Sequence, residues 1–95
     1  MLTSIIKRDG RVVIYDRNKI KMAILKAMEA SGSTDFEKAD LVTQAVEQHF
    51  NMQNSYATPT VEEIQDQVEH ELMASGLDNV AKRYILYRAS RNTIR

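Results

Sequence analysis

The sequence predicts an α+β domain that is mainly helical, with an N-terminal β-hairpin followed by four helices. Three observations carry this prediction. Two short β-branched runs flank Asp9-Gly10, apolar residues then recur at three- and four-residue spacing in four stretches, and Gly32, Pro59 and Gly76 punctuate those stretches. Ninety-five residues make one domain, residues 1–95, with a 43% apolar fraction sufficient for a modest core.

The hairpin is expected at about residues 3–15. Ser4 to Arg8 and Arg11 to Tyr15 are the strand-like runs, and Asp-Gly between them predicts a type I′ turn with positive φ at both residues. Asp16 then stands where a helix cap belongs, and Ile20, Ala23, Ile24, Ala27 and Met28 form the apolar stripe of a first helix that Ser31-Gly32 ends. A second helix is expected from Thr34, which has capping-box spacing to Glu37. Phe36, Ala39, Val42, Val46 and Phe50 form its buried face. Residues 51–58 read as a polar loop around Tyr56, with a third short strand at 56–58 as the alternative. Thr60 caps the third helix, with Glu63 three residues on. Val61, Ile64, Val68 and Leu72 form its stripe and Ser75-Gly76 closes it. Asp78 opens the fourth, which buries Val80 or Ala81, Tyr84, Ile85 and either Tyr87 or Ala89. A last helix that runs to Arg95 without a C-cap is what a module cut from a longer chain would show.

Several function classes are disfavoured by composition. There are no cysteines, so no disulfide framework or thiolate metal site is available. No apolar run approaches the ~18 residues that span a bilayer, and the N-terminus lacks a signal-peptide pattern, which together predict a cytoplasmic protein with no membrane partner. His49 and His70 stand apart with no metal-binding motif, and no serine or threonine has an evident activating base. Neither a catalytic nor a metal site is therefore expected. Both glycine-rich nucleotide loops, Gly-x-x-x-x-Gly-Lys-Ser/Thr and Gly-x-Gly-x-x-Gly, are missing.

The net charge of zero conceals a partition. Residues 1–26 hold seven basic side chains and two acidic ones, residues 27–80 one and eleven, and residues 81–95 five and none. If the basic ends meet in space they make one positive surface suited to a phosphate-bearing ligand; the alternative is that opposite blocks pair within the fold. Lys7 and Arg8 beside the turn offer a point charge and a planar fork, or a solvated hairpin end. Lys19 falls in the first turn of a helix, against the dipole, a placement that a bound anion would make favourable. Arg88 and Arg91 lie one turn apart and either close over an anion or neutralise Glu62, Glu69 or Glu71. Tyr15 and Ile20 flank this region as walls for a ring, or as core.

These residues resemble the opening signature of the ATP-cone family: Ile5 to Val13, then Tyr15-Asp16-Arg17-Asn18-Lys19-Ile20 and Ala23-Ile24. Thr60 to Glu69 is similar to the family's third-helix segment and Ala81 to Arg88 to its closing segment, so the resemblance runs from about residue 3 to 93. The closing segment looks most like that of ATP-cones at the N-terminus of anaerobic (class III) ribonucleoside-triphosphate reductases. The resemblance implies a hairpin lid covering a four-helix bundle with the nucleotide between them. It also implies an allosteric, non-catalytic domain that binds ATP or dATP, with Mg2+ carried by the nucleotide. The implied partner is a reductase catalytic domain, in the same polypeptide or separate, and control through a homo-oligomer fits the family. Carried over by position, Lys7, Arg8, Lys19 and Arg91 would hold phosphates. Val13, Ile14, Tyr15, Asp16 and Ile20 would line adenine and ribose, with Asp16 as acceptor. Val61 and Gln65 complete the set at places where some members have a hydroxyl and a histidine, donors that are missing here. Two further readings, a helical protein-interaction domain and a nucleic-acid-binding domain, involve no nucleotide sensing. Zero net charge and an acidic middle argue against the second.

Overall fold

The computed structural model describes residues 2–53 and 57–93, with the side chains of 92 and 93 left aside. Its elements are β1 (Ser4–Ile6), β2 (Val12–Ile14), α1 (Arg17–Ser31), α2 (Glu37–Asn51), α3 (Val61–Ala74) and α4 (Asp78–Thr93). The strands pair antiparallel with Ile5 opposite Val13, and the Tyr15 N–H extends the ladder by donating to the Thr3 carbonyl.

The turn differs from the type I′ expectation. Gly10 alone takes positive φ, at 89°, while Asp9 does not. The Lys7 N–H donates to the Arg11 carbonyl and the Gly10 N–H to the Lys7 carbonyl. This is the three-residue connection in which only the last residue is left-handed, so Asp9 escapes the strain a type I′ turn would impose. Its carboxylate instead accepts from the Arg11 N–H at 3.0 Å and Arg11 Nε at 2.7 Å.

Helix ends follow local chemistry with one exception. Asp16 accepts from the Asn18 N–H and so caps α1; Gly32 at φ 80° ends it, with the Ser33 N–H reaching the Met28 carbonyl. Thr60 and Glu63 form a reciprocal capping box on α3. The exception is α2, which starts at Glu37 without a side-chain cap. The Phe36 N–H turns back to the Thr34 carbonyl at 2.9 Å. That tight turn takes Asp35 out of helical geometry, and the Thr34–Glu37 box cannot close. Phe36, expected in the core, is consequently 45% exposed.

The helices pack in a ring, α1 against α2 and α4, and α3 against α2 and α4. Each contributes one buried stripe: Ile24, Ala27 and Met28; Ala39, Val42 and Val46; Ile64, Val68 and Leu72; Val80, Ala81 and Tyr84. Thr43, the buried polar side chain among the described residues, returns its hydroxyl to the Ala39 carbonyl at 2.7 Å. Ile85 lies outside this core at 41% exposure, because the face that α4 turns toward α1 and α3 is centred on Val80, Ala81 and Tyr84 and leaves Ile85 at its edge. Instead of a strand at 56–58, a single parallel bridge joins Ile6 to Thr60, with the Ile6 N–H donating to the Pro59 carbonyl. Residues 57 and 58 are not strand, and Tyr56 lies outside the described residues. This bridge anchors the hairpin at the N-terminus of α3, beside the open end of the bundle.

Candidate functional site

A cavity of about 370 Å³ lies between the hairpin and helices α1, α3 and α4. Ile5, Lys7, Val13 and Ile14 enter it from the hairpin, and Tyr15 and Asp16 from the link to α1. Lys19, Met22 and Lys26 follow on α1 at spacings of three and four, one helical face, joined by Ile20 and Ala23. Val61 and Gln65 come from the first turns of α3, and Tyr84, Tyr87 and Arg91 from α4.

Ten of the eleven residues singled out from the sequence are thus brought together: Lys7, Val13, Ile14, Tyr15, Asp16, Lys19, Ile20, Val61, Gln65 and Arg91. Arg8 is not among them. It leaves the hairpin on the other side of Lys7, placing Nε 2.6 Å from Glu62 and Nη2 3.2 Å from Gln65 Oε1. Arg8 is the first of the three turn residues, and the turn carries its side chain to α3 and not into the cavity. Lys26, Tyr84 and Tyr87 were missed. Their signal was available, since Lys26 stands two turns from Lys19, and Tyr87 one turn from Arg91.

Arg88 and Arg91 diverge. Arg88 is 15% exposed and donates to Asp66 at 2.7 Å, Glu69 at 2.6 Å and the Glu62 carbonyl at 3.4 Å, joining α4 to α3. Arg91 lies over Tyr87, 6.0 Å from the ring centre, a cation–π contact at the cavity's rim.

The electrostatics of the site follow from which cations are spent elsewhere. Arg8, Arg11, Arg17, Lys21, Lys38 and Arg88 each sit beside a carboxylate. Among the described residues the basic side chains without such a partner are Lys7, Lys19, Lys26, Lys82, Arg83 and Arg91. Four of these six line the cavity, against one carboxylate, Asp16. One oxygen of Asp16 is already occupied by the Asn18 N–H in capping α1. The result is a concave surface of positive potential with apolar and aromatic walls.

One wall is tied to α2. The Tyr15 hydroxyl donates to Glu47 Oε2 at 2.8 Å, and burial with that carboxylate pushes its phenol well above the usual range. Arg17 Nε lies 3.2 Å from the same carboxylate and Nη1 2.9 Å from Asp40, whose carboxyl it holds below the usual Asp range. Among the described residues no group of three or more His, Asp or Glu side chains is placed to hold a metal ion. No described helix is long and apolar enough to cross a membrane.

The fold and site define a small helical domain whose hairpin closes a cationic, ring-walled cavity. Residues 3–93 match the ATP cone domain family, and the chain belongs to that family. It is 42% identical to the vitamin B12-dependent ribonucleoside-diphosphate reductase of Thermoplasma acidophilum over 100 residues, covering all of this chain. It is 34% identical to the anaerobic ribonucleoside-triphosphate reductase of Salmonella typhimurium over 97% of its length. With the ribonucleoside-diphosphate reductase subunit alpha of Chlamydia pneumoniae it shares 38% over 95%. The resemblance to anaerobic reductases is therefore joined by equal or higher identity to two other kinds. The chain spans 13%, 12% and 9% of the lengths of these three relatives.

Proposed function

We propose that this domain is an allosteric sensor that binds ATP or dATP without transforming it and reports occupancy to a ribonucleotide reductase catalytic domain. That catalytic domain is either continuous with it or a partner. The observation that carries the reading is the convergence of Lys7, Lys19, Lys26 and Arg91, all without carboxylate partners among the described residues, on one cavity. Four unneutralised cations repel one another, and a polyphosphate relieves that repulsion while it gains charge-assisted hydrogen bonds. The N-terminal turn of α1 adds the positive end of its dipole. Val13, Ile20 and Tyr15 supply faces for a purine, and the second oxygen of Asp16 is placed to accept from base or sugar. Gln65 offers the cavity an amide in place of a third-helix histidine, and Val61 only an apolar face. A volume of about 370 Å³ is within the range of small-ligand sites. Mg2+ arrives with the triphosphate in this reading, since no cluster of acids stands ready for it among the described residues. The setting is the cytoplasm, where ATP is abundant, and the relatives' names supply the reductase partner.

Thermal unfolding with Mg-ATP, Mg-dATP or Mg-GTP tests the proposal. A ligand at 100 times its Kd stabilises by about 2.7 kcal/mol, a shift on the order of 10 °C for a domain of this size. A shift selective for adenine nucleotides and reduced in Lys7→Ala is expected. No shift with any nucleotide would refute the reading and leave a protein-interaction domain in its place.

A further inference from the structure

One wall of the cavity is positioned from outside it. Tyr15, with Ile14, Asp16 and Lys19, lines both the cavity and a more open groove beside it. Glu47, which receives the Tyr15 hydroxyl at 2.8 Å, lines the groove but not the cavity. Glu47 is itself restrained. Arg17 Nε lies 3.2 Å and 3.4 Å from its two oxygens, and its side chain is only 22% exposed. The Tyr15 ring packs half-buried against the core, and the hydrogen bond from its hydroxyl to a held carboxylate fixes the polar end of the side chain. The chain Tyr15–Glu47–Arg17–Asp40 thereby joins the site's ring wall to two positions of α2 about two turns apart.

Resting on the nucleotide reading above, the geometry points to Glu47 as a positioning residue for the ligand's base, fixing the place of the Tyr15 ring that lines the cavity. Glu47 touches no ligand in this arrangement. Its effect passes through Tyr15, whereas the phosphates are held by Lys7, Lys19, Lys26 and Arg91 on other elements. Contributions from base and phosphate therefore separate. Loss of Glu47 frees the ring from this fixed position, which lowers affinity for a nucleotide but not for a base-free polyphosphate.

The test is calorimetric titration of the 95-residue chain with ATP and, by competition, with inorganic tripolyphosphate. The variants are Glu47→Ala, Glu47→Gln, Tyr15→Phe and the Glu47→Ala/Tyr15→Phe pair. Glu47→Ala and Tyr15→Phe are each expected to weaken ATP about fivefold with tripolyphosphate unchanged, and the pair to be no worse than either alone. Glu47→Gln keeps an acceptor for the hydroxyl and should stay within about twofold of the parent. Unchanged ATP affinity in both single variants, or parallel weakening of ATP and tripolyphosphate, would overturn the assignment. A parent chain that binds no adenine nucleotide would instead refute the nucleotide reading, and this inference with it.

Discussion

Replacing Lys19 with alanine should move folding stability and ligand affinity in opposite directions. Lys19 is exposed, sits in the first turn of α1 and has no carboxylate partner among the described residues. No acidic residue stands in that turn to offset it. A cation there opposes the helix dipole at a cost of about 0.3–1 kcal/mol, and Lys7, Lys26 and Arg91 around the same cavity add repulsion. Removing it should stabilise the ligand-free chain by about 0.5 kcal/mol, raising Tm by roughly 2–4 °C. A lost charge-assisted contact to phosphate is worth about 1.5 kcal/mol at an exposed site, about tenfold in Kd. With Mg-ATP at 100 times the parent's Kd, ligand stabilisation should fall from about 2.7 to about 1.4 kcal/mol. Paired thermal melts followed by circular dichroism, with and without nucleotide, read both effects in one experiment. A variant less stable than the parent without ligand, or one with an undiminished ligand shift, would refute the reasoning.

Three further outcomes are expected. Arg88→Met should destabilise the fold by about 2 kcal/mol in urea titrations, because it strands the largely buried Glu69 carboxylate beside α4; the exposed Asp66 adds little. Its ATP affinity should stay within about twofold, and a large affinity loss with unchanged stability would mean that Arg88 serves the ligand instead. Glu62→Gln removes the α3 partner of Arg8, which lies off the cavity, so ATP affinity measured by calorimetry should stay within about twofold; clearly weaker binding would show that the pair supports the site. Asp40 titrates below the usual Asp range because Arg17 hydrogen-bonds its charged form, so its contribution is complete above about pH 4 and is lost as pH falls through the lowered value. Asp40→Asn should accordingly flatten the acid limb of a Tm-versus-pH curve between about pH 5 and 2, and an unchanged limb would place the acid sensitivity elsewhere.

What the sequence by itself determined was local. The hairpin, the four helices and the ends of α1 and α3 follow from Asp16, Gly32, Thr60, Glu63 and Gly76, whose effects act within one turn of chain. The three apolar stripes of α1, α2 and α3 were equally legible, because a period near 3.6 states which face is buried. Ten of eleven proposed site residues share the cavity because the resemblance carried a spatial arrangement that no spacing in the chain encodes. Tertiary structure alone decided the rest. The turn at Asp9-Gly10 depends on pairing register, the start of α2 on how the chain leaves Gly32, and the exposure of Ile85 on which face of α4 meets its neighbours. Above all, the partition of cations was invisible in one dimension. Arg8, Arg17 and Arg88 are spent on Glu62, Glu47, Asp66 and Glu69, while Lys7, Lys19, Lys26 and Arg91 remain at the cavity. Charge in a sequence is a count, whereas an ion pair falls off within a few ångströms and so belongs to the fold.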